Sequence, residues 1–177
     1  VSAGTAHRIS GQWQQALVRF DEVLGPLRQS GGAIQWDLDS AMNLAVQACA
    51  RLGNFREAEL RMPEYMRDSL NRGDLYLSTS LRVGDGSVLW LVKDAVNEGR
   101  KDVEEAMLLW GRSTLDMQRW WGTCSLASFE LYSGENRAAF ERMNTMLEQL
   151  RWSRLRVLRT LWSFTHVLTA QAAVACA

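Results

Sequence analysis

Pairs of acidic side chains are the residues of this sequence whose type and spacing could support catalysis. Two neighbouring carboxylates suit general acid–base chemistry. Three such pairs occur, at Asp37/Asp39, Asp21/Glu22 and Glu104/Glu105. The first pair stands where a helix is predicted to begin, and acids at that position stabilise the helix dipole. The other two pairs fit solvated helix faces, so we predict that the chain has no catalytic residues.

Motifs for phosphoryl transfer are missing from the sequence. A protein kinase needs a glycine-rich phosphate loop, a strand lysine and the H-R-D and D-F-G motifs. Here His7-Arg8 continues with Ile9, and neither Lys93 nor Lys101 lies in a V-A-I-K setting. No Walker A pattern occurs either. We predict that this chain is not an enzyme and needs no cofactor.

The sequence also has few residues that could bind a metal ion or form disulfide bonds. Cys49, Cys124 and Cys176 lie far apart, form no C-x-x-C pair, and share the chain with only two histidines. This pattern predicts no metal site. Scattered cysteines in odd number are typical of the reducing cytoplasm, which is the predicted location. His166 has no partner in the sequence, so we interpret it as structural.

Charge and hydropathy narrow the choice of partner. Twenty basic and twenty acidic residues balance, which removes the broad attraction that nucleic acids and anionic membranes depend on. Arg151, Arg154, Arg156 and Arg159 would spread over about half of a helix circumference, as in a solvated face. The polar residues within 157–177 make that apolar stretch a poor membrane span. The predicted partner is therefore a protein or peptide, not a nucleic acid, membrane or metal.

Apolar residues recur at helical spacing along almost the whole chain, which predicts an all-α fold. With 177 residues, 47% of them hydrophobic, the chain can form a single sizeable core and is predicted to be one domain. Short polar or glycine-containing turns separate about eight to nine helices. The predicted helices are 12–29, 37–51, 54–72, 74–98 with an interruption at 84–86, 102–115, 117–132, 136–150 and 153 to the end.

A short pattern of glycine, aromatic residue and alanine recurs at the predicted turns. The residues that define it are Gly11, Trp13, Ala16, Gly53, Phe55, Ala58, Gly134 and Ala139. Around Gly99 the nearest alanine is Ala106, two residues out of register. Successive glycines lie 42, 46 and 35 positions apart, near the period of helical-pair repeats. Glycine ends one helix, the aromatic packs between the two helices, and the alanine lets their axes approach.

Repeated helix pairs must stack, because one pair cannot bury both of its faces. The pattern therefore predicts an α-solenoid of antiparallel helix pairs that forms a right-handed superhelix. The predicted units are 1–30, 35–72, 74–116, 117–151 and 153–177, the last of them incomplete. Since the chain opens on Val1 and closes within the pattern, we expect a segment of a longer protein. The alternative is an unrepeated helical bundle in which glycine turns recur by chance.

The units at 10–17 and 52–58 resemble degenerate tetratricopeptide repeats. Three short segments are similar to the C-terminal repeat region of large bacterial serine/threonine kinases, typical of myxobacteria. These are Trp36-Asp37-Leu38-Asp39, Arg72-Gly73-Asp74-Leu75-Tyr76 and Ser80-Leu81-Arg82, followed by the region of Trp90 and Trp110. Such kinases join a kinase domain, often an ATPase module, and a helical-repeat tail. The resemblance implies that this chain is part of a regulatory tail.

Two classes of function remain open from the sequence. The favoured one is a non-catalytic interaction or sensing scaffold that holds a peptide or another domain of its own protein. The alternative is the effector-sensing region of an ATPase-type transcription regulator, in which a small molecule fills the helical groove. The first helix of each pair faces the concave side of such stacks. Candidate groove residues are Met42, Gln47, Arg82, Trp90 and Trp120.

Overall fold

The computed structural model describes residues 1–30, 34–111 and 114–177, and all regular structure within these ranges is helical. The prediction of an all-α fold is confirmed. The described residues form ten α-helices: α1 (Ser2–Ile9), α2 (Trp13–Gln29), α3 (Gln35–Arg51), α4 (Phe55–Arg72), α5 (Leu75–Arg82), α6 (Val88–Val92), α7 (Val96–Trp110), α8 (Met117–Tyr132), α9 (Asn136–Trp152) and α10 (Arg159–Ala175). Short 3-10 turns occupy Gly84–Ser87 and Arg154–Val157.

Ten helices exceed the predicted eight to nine. The helix that sequence reasoning missed is α1, which has only eight residues. It packs through Gly4, where an added Cβ would lie 2.5 Å from Cε1 of Phe20 in α2. About two helical turns are shorter than the window of 11 to 18 residues in which a helical period is recognised.

The boundary between the predicted helices 74–98 and 102–115 was misplaced. The chain turns at Asp94, and α7 runs through Gly99 without a break. A Cβ at Gly99 would lie 2.6 Å from Cβ of Trp90 and 2.9 Å from Cζ of Phe129. This glycine therefore permits close packing inside a helix and does not end one.

Five helix-to-helix turns share one backbone geometry. Their central residues have positive φ angles of 74°, 73°, 66°, 54° and 75° at Gly11, Gly53, Gly73, Asp94 and Gly134. In each turn the amide of the next residue donates to a carbonyl five residues earlier, over 2.8 to 2.9 Å, which is the Schellman arrangement. Four of these turns, all except the one at Gly73, lie at intervals of 42, 41 and 40 positions. With Asp94 in the place of the expected glycine, the spacing of these four turns is more regular than the sequence pattern indicated.

The helix after each of these turns begins two residues beyond the central residue, at the start of α2, α4, α7 and α9. A small, fully buried residue follows in its first turns. These residues are Ala16, Ala58, Gly99 and Ala139. The aromatic side chains Trp13 and Phe55, which were expected to fill the space between paired helices, are half-buried. Close contact at the small residue is thus the feature that all four pairs share.

The chain divides into two compact units, Val1–Leu81 and Arg82–Ala177. The first unit contains α1 to α4 and most of α5. Its core is a cluster of apolar side chains from α2, α3, α4 and α5. They are Leu24, Leu38, Ala41, Met42, Val46, Tyr65, Leu77 and Leu81.

The second unit contains α6 to α10 and has two apolar clusters. In the larger one, α9 supplies Met143, Met146 and Leu150, which pack against side chains of both α8 and α10. The smaller cluster centres on Val83, Val103 and Phe129. The stacking of five units into a right-handed superhelix, and the single domain that this would form, stay predictions.

Candidate functional site

Two of the predicted groove residues belong to hydrophobic cores. Met42 has no exposed surface and lies in the core of the first unit. Trp120 is 1% exposed, and its Nε1 donates to Oγ1 of Thr165 over 3.0 Å. Neither side chain lines a groove, because each is a large side chain that fills the space between packed helices. Gln47, also in the first unit, is half-buried.

Arg82 and Trp90 take part in one polar network of the second unit. Nε of Arg82 donates to Asp102 Oδ1 over 2.7 Å, and a terminal nitrogen donates to Glu105 over 2.8 Å. Nε1 of Trp90 donates to the second oxygen of Asp102 over 3.2 Å. Because these hydrogen bonds join Arg82 and Trp90 to α7 within the second unit, we interpret both residues as structural. Of the five predicted groove residues, Met42 and Gln47 lie in the first unit and the others lie in the second.

A buried glutamate in α8 is the most enclosed charge of the second unit. Glu130 is 2% exposed and accepts hydrogen bonds of 2.5 to 3.0 Å from Nε and a terminal nitrogen of Arg142. Arg100 lies 3.8 Å away. The hydrogen bonds that Arg142 donates to Glu130 raise the pKa of Arg142. A buried carboxylate that is paired in this way connects α8 to α9.

A cluster of three carboxylates and an arginine occupies the first unit. Asp39 accepts from Nε2 of Gln35 over 2.8 Å and from Arg72 over 2.9 Å. Arg72 also pairs with Asp68 at 2.6 Å and with Asp74 at 3.2 Å. Burial, together with the neighbouring Asp74, raises the pKa of Asp39 to about 6. The sequence suggested Asp39 as a partner of Asp37, whereas the fold pairs it with Asp74. Its hydrogen bonds to other parts of the fold make it a structural group.

One opening of the second unit is a cleft of about 1030 Å³, which we call the α8–α9 cleft. It lies between the start of α8, the end of α9 and the turn that leads to α10. Among the described residues its lining consists of Thr114, Leu115, Asp116, Arg119, Thr123, Glu148, Gln149, Trp152, Ser153, Arg154 and Leu155. An aromatic ring and an arginine at the edge of a concave surface are residue types that recur in binding sites.

Hydrogen bonds hold the wall of the cleft in place. Asp116 caps α8 by accepting from the amide of Arg119 over 3.0 Å, and it also accepts from Nε1 of Trp110 over 2.8 Å. On the opposite side, the Ser153 hydroxyl donates to the Leu150 carbonyl over 3.0 Å and accepts from the next turn. The cleft is therefore formed by backbone that is fixed before any ligand binds, which reduces the entropy cost of binding.

Two side chains of the cleft are free to meet a ligand. Trp152 is 82% exposed although it is one of the largest apolar residues. Arg154 is exposed and forms no hydrogen bond or ion pair with a described residue. The acidic side chains of the cleft already have partners within the protein, since Asp116 caps α8 and Glu148 lies 3.7 Å from Arg151. The available charge in the cleft is positive.

Sequence reasoning missed Trp152 as a site residue because helical periodicity cannot tell an exposed tryptophan from a core one. One signal pointed to it: Trp152 stands in the only stretch with four closely spaced arginines and no acid. Helical spacing predicts that those arginines spread over about half of a helix circumference, as in a solvated face. In the structure the helix ends at Trp152, and a 3-10 turn follows.

No protein-family model, curated protein or solved structure matches the chain. No helix in the described ranges is both long and apolar enough to cross a membrane. Among the same residues, no group of three or more histidine, cysteine or acidic side chains is placed to hold a metal ion.

Proposed function

We propose that this chain is a non-catalytic interaction module that binds a protein segment in the α8–α9 cleft. The observation that carries the proposal is the exposed Trp152 beside the unpaired Arg154 in a cleft with a fixed wall. Tryptophan and arginine are among the residue types that are enriched at interaction sites. The buried carboxylates are engaged in structural ion pairs, which gives catalysis no obvious centre.

The wider proposal is that the chain is the regulatory, tetratricopeptide-like tail of a bacterial serine/threonine kinase and works in the cytoplasm. The four turns at intervals of 40 to 42 residues support helical-pair repetition. The spacing Ala16-x-x-x-Phe20, with both side chains fully buried, fits the A-x-x-x-F element of such repeats. Free cysteines at Cys49, Cys124 and Cys176 fit a reducing compartment. The kinase connection rests on the short segments 36–39, 72–76 and 80–82 alone.

An effector-sensing region of an ATPase-type transcription regulator is the second candidate. The volume of the cleft, about 1030 Å³, is at the upper end of the range for small-molecule pockets. In this case a small molecule and not a peptide would occupy the cleft, and the chain would report its binding to other domains.

Peptide display separates these candidates. Random peptides would be selected on the immobilised chain and then tested against the Trp152→Ala variant. Because Trp152 is 82% exposed, its truncation is expected to leave the fold intact, which the far-UV spectrum and the melting temperature would check. We expect enriched peptides that bind the wild type and lose binding to the variant.

Absence of enriched peptides, or peptides that bind both proteins equally, would contradict a peptide-binding cleft. The effector-sensing candidate predicts a different result. A small molecule would then raise the melting temperature of the wild type but not that of Trp152→Ala, while no peptide is enriched.

A further inference from the structure

The charges of the chain are distributed unevenly around the α8–α9 cleft. Residues 149–177 contain four arginines and no acidic residue, whereas residues 1–148 contain 16 basic and 20 acidic residues. All four arginines fall between 151 and 159, and Arg154 is the member of this group that lines the described part of the cleft. A local excess of this kind attracts an oppositely charged partner even when the whole chain is neutral.

We propose that the occupant of the cleft is an acidic peptide segment that carries an apolar side chain beside its carboxylates. This inference rests on the proposed function, since it names the chemistry of the partner for the same site. Arg154 supplies a guanidinium that fits a carboxylate with two parallel hydrogen bonds. Trp152, at the edge of the same cleft, supplies the apolar surface for the neighbouring side chain.

The arginines remain available because the chain does not neutralise them. Arg154, Arg156 and Arg159 are exposed and form no ion pair with a described residue. Only Arg151 has an acidic neighbour, Glu148 at 3.7 Å, and both of these side chains are about two-thirds exposed. An exposed pair at this distance contributes little and can exchange partners.

The turn that carries the arginines is held in one conformation. Nε1 of Trp162 in α10 donates to the carbonyl of Arg156 over 2.9 Å, and the Ser153 hydroxyl accepts from the amide of Leu155 over 3.1 Å. Fixed backbone lets the side chains present their charge along one edge without a loss of loop entropy on binding.

The lining of the cleft favours a peptide over single-stranded nucleic acid. Single-stranded nucleic acid is bound by successive aromatic rings on which bases stack, and Trp152 is the one aromatic side chain that lines the described part of the cleft. A lipid surface is contacted by apolar residues that project from the protein, and Trp152 and Val157 are 82% and 74% exposed, so vesicle binding is measured alongside peptide binding.

A fluorescence anisotropy titration tests the inference directly. The probe is a short fluorescein-labelled peptide in which pairs of glutamate alternate with leucine, and its counterpart has glutamine in place of every glutamate. We expect the acidic peptide to bind, the glutamine peptide to bind about tenfold more weakly or not at all, and added salt to weaken the acidic complex.

Variants locate the interaction. The combined change Arg154→Gln, Arg156→Gln and Arg159→Gln is expected to weaken binding of the acidic peptide about tenfold, because each exposed charge contributes a small share. The control is the double change Arg56→Gln and Arg67→Gln, which removes two positive charges from exposed arginines of α4 in the other unit; Arg56→Gln alone is compared with Arg154→Gln alone, and neither control should change binding.

Three outcomes would overturn the inference. Equal binding of the two peptides would show that the carboxylates are not recognised. No binding of the acidic peptide, or equal loss with Arg56→Gln, would show that the arginine-rich turn is not the site. Tighter binding of oligothymidylate, or of phosphatidylglycerol vesicles, than of the peptide would assign the site to nucleic acid or to lipid.

Failure of this inference is distinguishable from failure of the proposed function. If display selects peptides that depend on Trp152 but are neutral or basic, the cleft binds protein segments and only the acidic chemistry is wrong. If no peptide depends on Trp152, the proposed function itself is contradicted.

Discussion

Asp94 and Gly99 show how residue identity can mislead when the backbone is not known. Sequence reasoning assigned the third turn to Gly99 because glycine adopts positive φ most easily. In the structure Asp94 takes that conformation, with φ of 54°, and Gly99 occupies the small buried position that alanine fills in the other pairs. The third turn therefore has the same backbone geometry as the others, but different residue types occupy its central position and its small buried position. The spacing of residues in the sequence could not reveal this.

The first prediction concerns the positive φ of Asp94. Asp94→Gly should raise the free energy of unfolding by about 0.5 kcal/mol, because glycine adopts this conformation without strain. The gain is partly offset by loss of the exposed 3.0 Å hydrogen bond from the Tyr132 hydroxyl. Gly53→Asp, the reverse change at an equivalent turn, should cost about 1 kcal/mol. Urea denaturation would measure both, and a stabilising effect of Gly53→Asp would show that the two turns are not equivalent.

The second prediction concerns the buried carboxyl of Asp39, whose pKa burial and Asp74 raise from 3.8 to about 6. A raised carboxyl pKa stabilises the fold fully below the unfolded value, and this contribution is lost as pH rises through the folded value. The free energy of unfolding should thus fall by up to about 3 kcal/mol between pH 4 and pH 6.5 through this group. Asp39→Asn should flatten that part of the pH profile, and parallel profiles for the two proteins would contradict the assignment.

At the scale of the element, the long amphipathic helices could be predicted and the short ones could not. The predicted bounds of α2, α3, α4, α8 and α9 agree with the structure to within two residues at each end. These helices have a clear apolar stripe and defined ends. The weak element α1, and the segment that divides into α5, α6 and a 3-10 turn, depend on tertiary packing. At Gly84, for instance, the amide donates to Ser125 Oγ, 41 residues away, over 2.8 Å.

The third prediction concerns the cap of α8. Asp116→Ala should lower the free energy of unfolding by about 1–2 kcal/mol, because the amide of Arg119 and Nε1 of Trp110 both lose an acceptor. Asp116→Asn is the matched control: its side-chain oxygen can still cap the helix, so most of the stability should remain. Thermal unfolding would measure both variants. Equal losses would show that the negative charge, and not the cap, is what the helix needs.

At the scale of the whole molecule, the all-α class follows from periodicity, but the site does not. The residues that line the α8–α9 cleft come from the starts and ends of helices, where pattern carries the least information. Trp120 and Trp152 have the same residue type, yet the first is 1% exposed and the second 82%. Their difference depends on where α9 ends and how the next turn leaves it, so only the fold distinguishes a core tryptophan from an exposed one.

The last prediction concerns the uncovered face of α10. No Asp, Glu, Lys or Arg follows Arg159 in the sequence, and Val167 and Val174 are 56% and 77% exposed on this helix. An exposed apolar face of this kind favours association with another apolar surface. In a reducing buffer that excludes disulfides through Cys176, we expect concentration-dependent self-association by sedimentation equilibrium.

Introducing charge at the same positions should abolish that association. The double change Val167→Glu and Val174→Glu places two carboxylates on the exposed face and should yield monomers at every concentration, since burying them in an interface would require desolvation without a partner. Val18→Glu, which adds a carboxylate at a 46% exposed valine of α2, is the control and should leave association unchanged. Self-association that persists in the double variant would place the contact on another surface, whereas a monomeric wild type would mean that the exposed valines of α10 are too few to drive it.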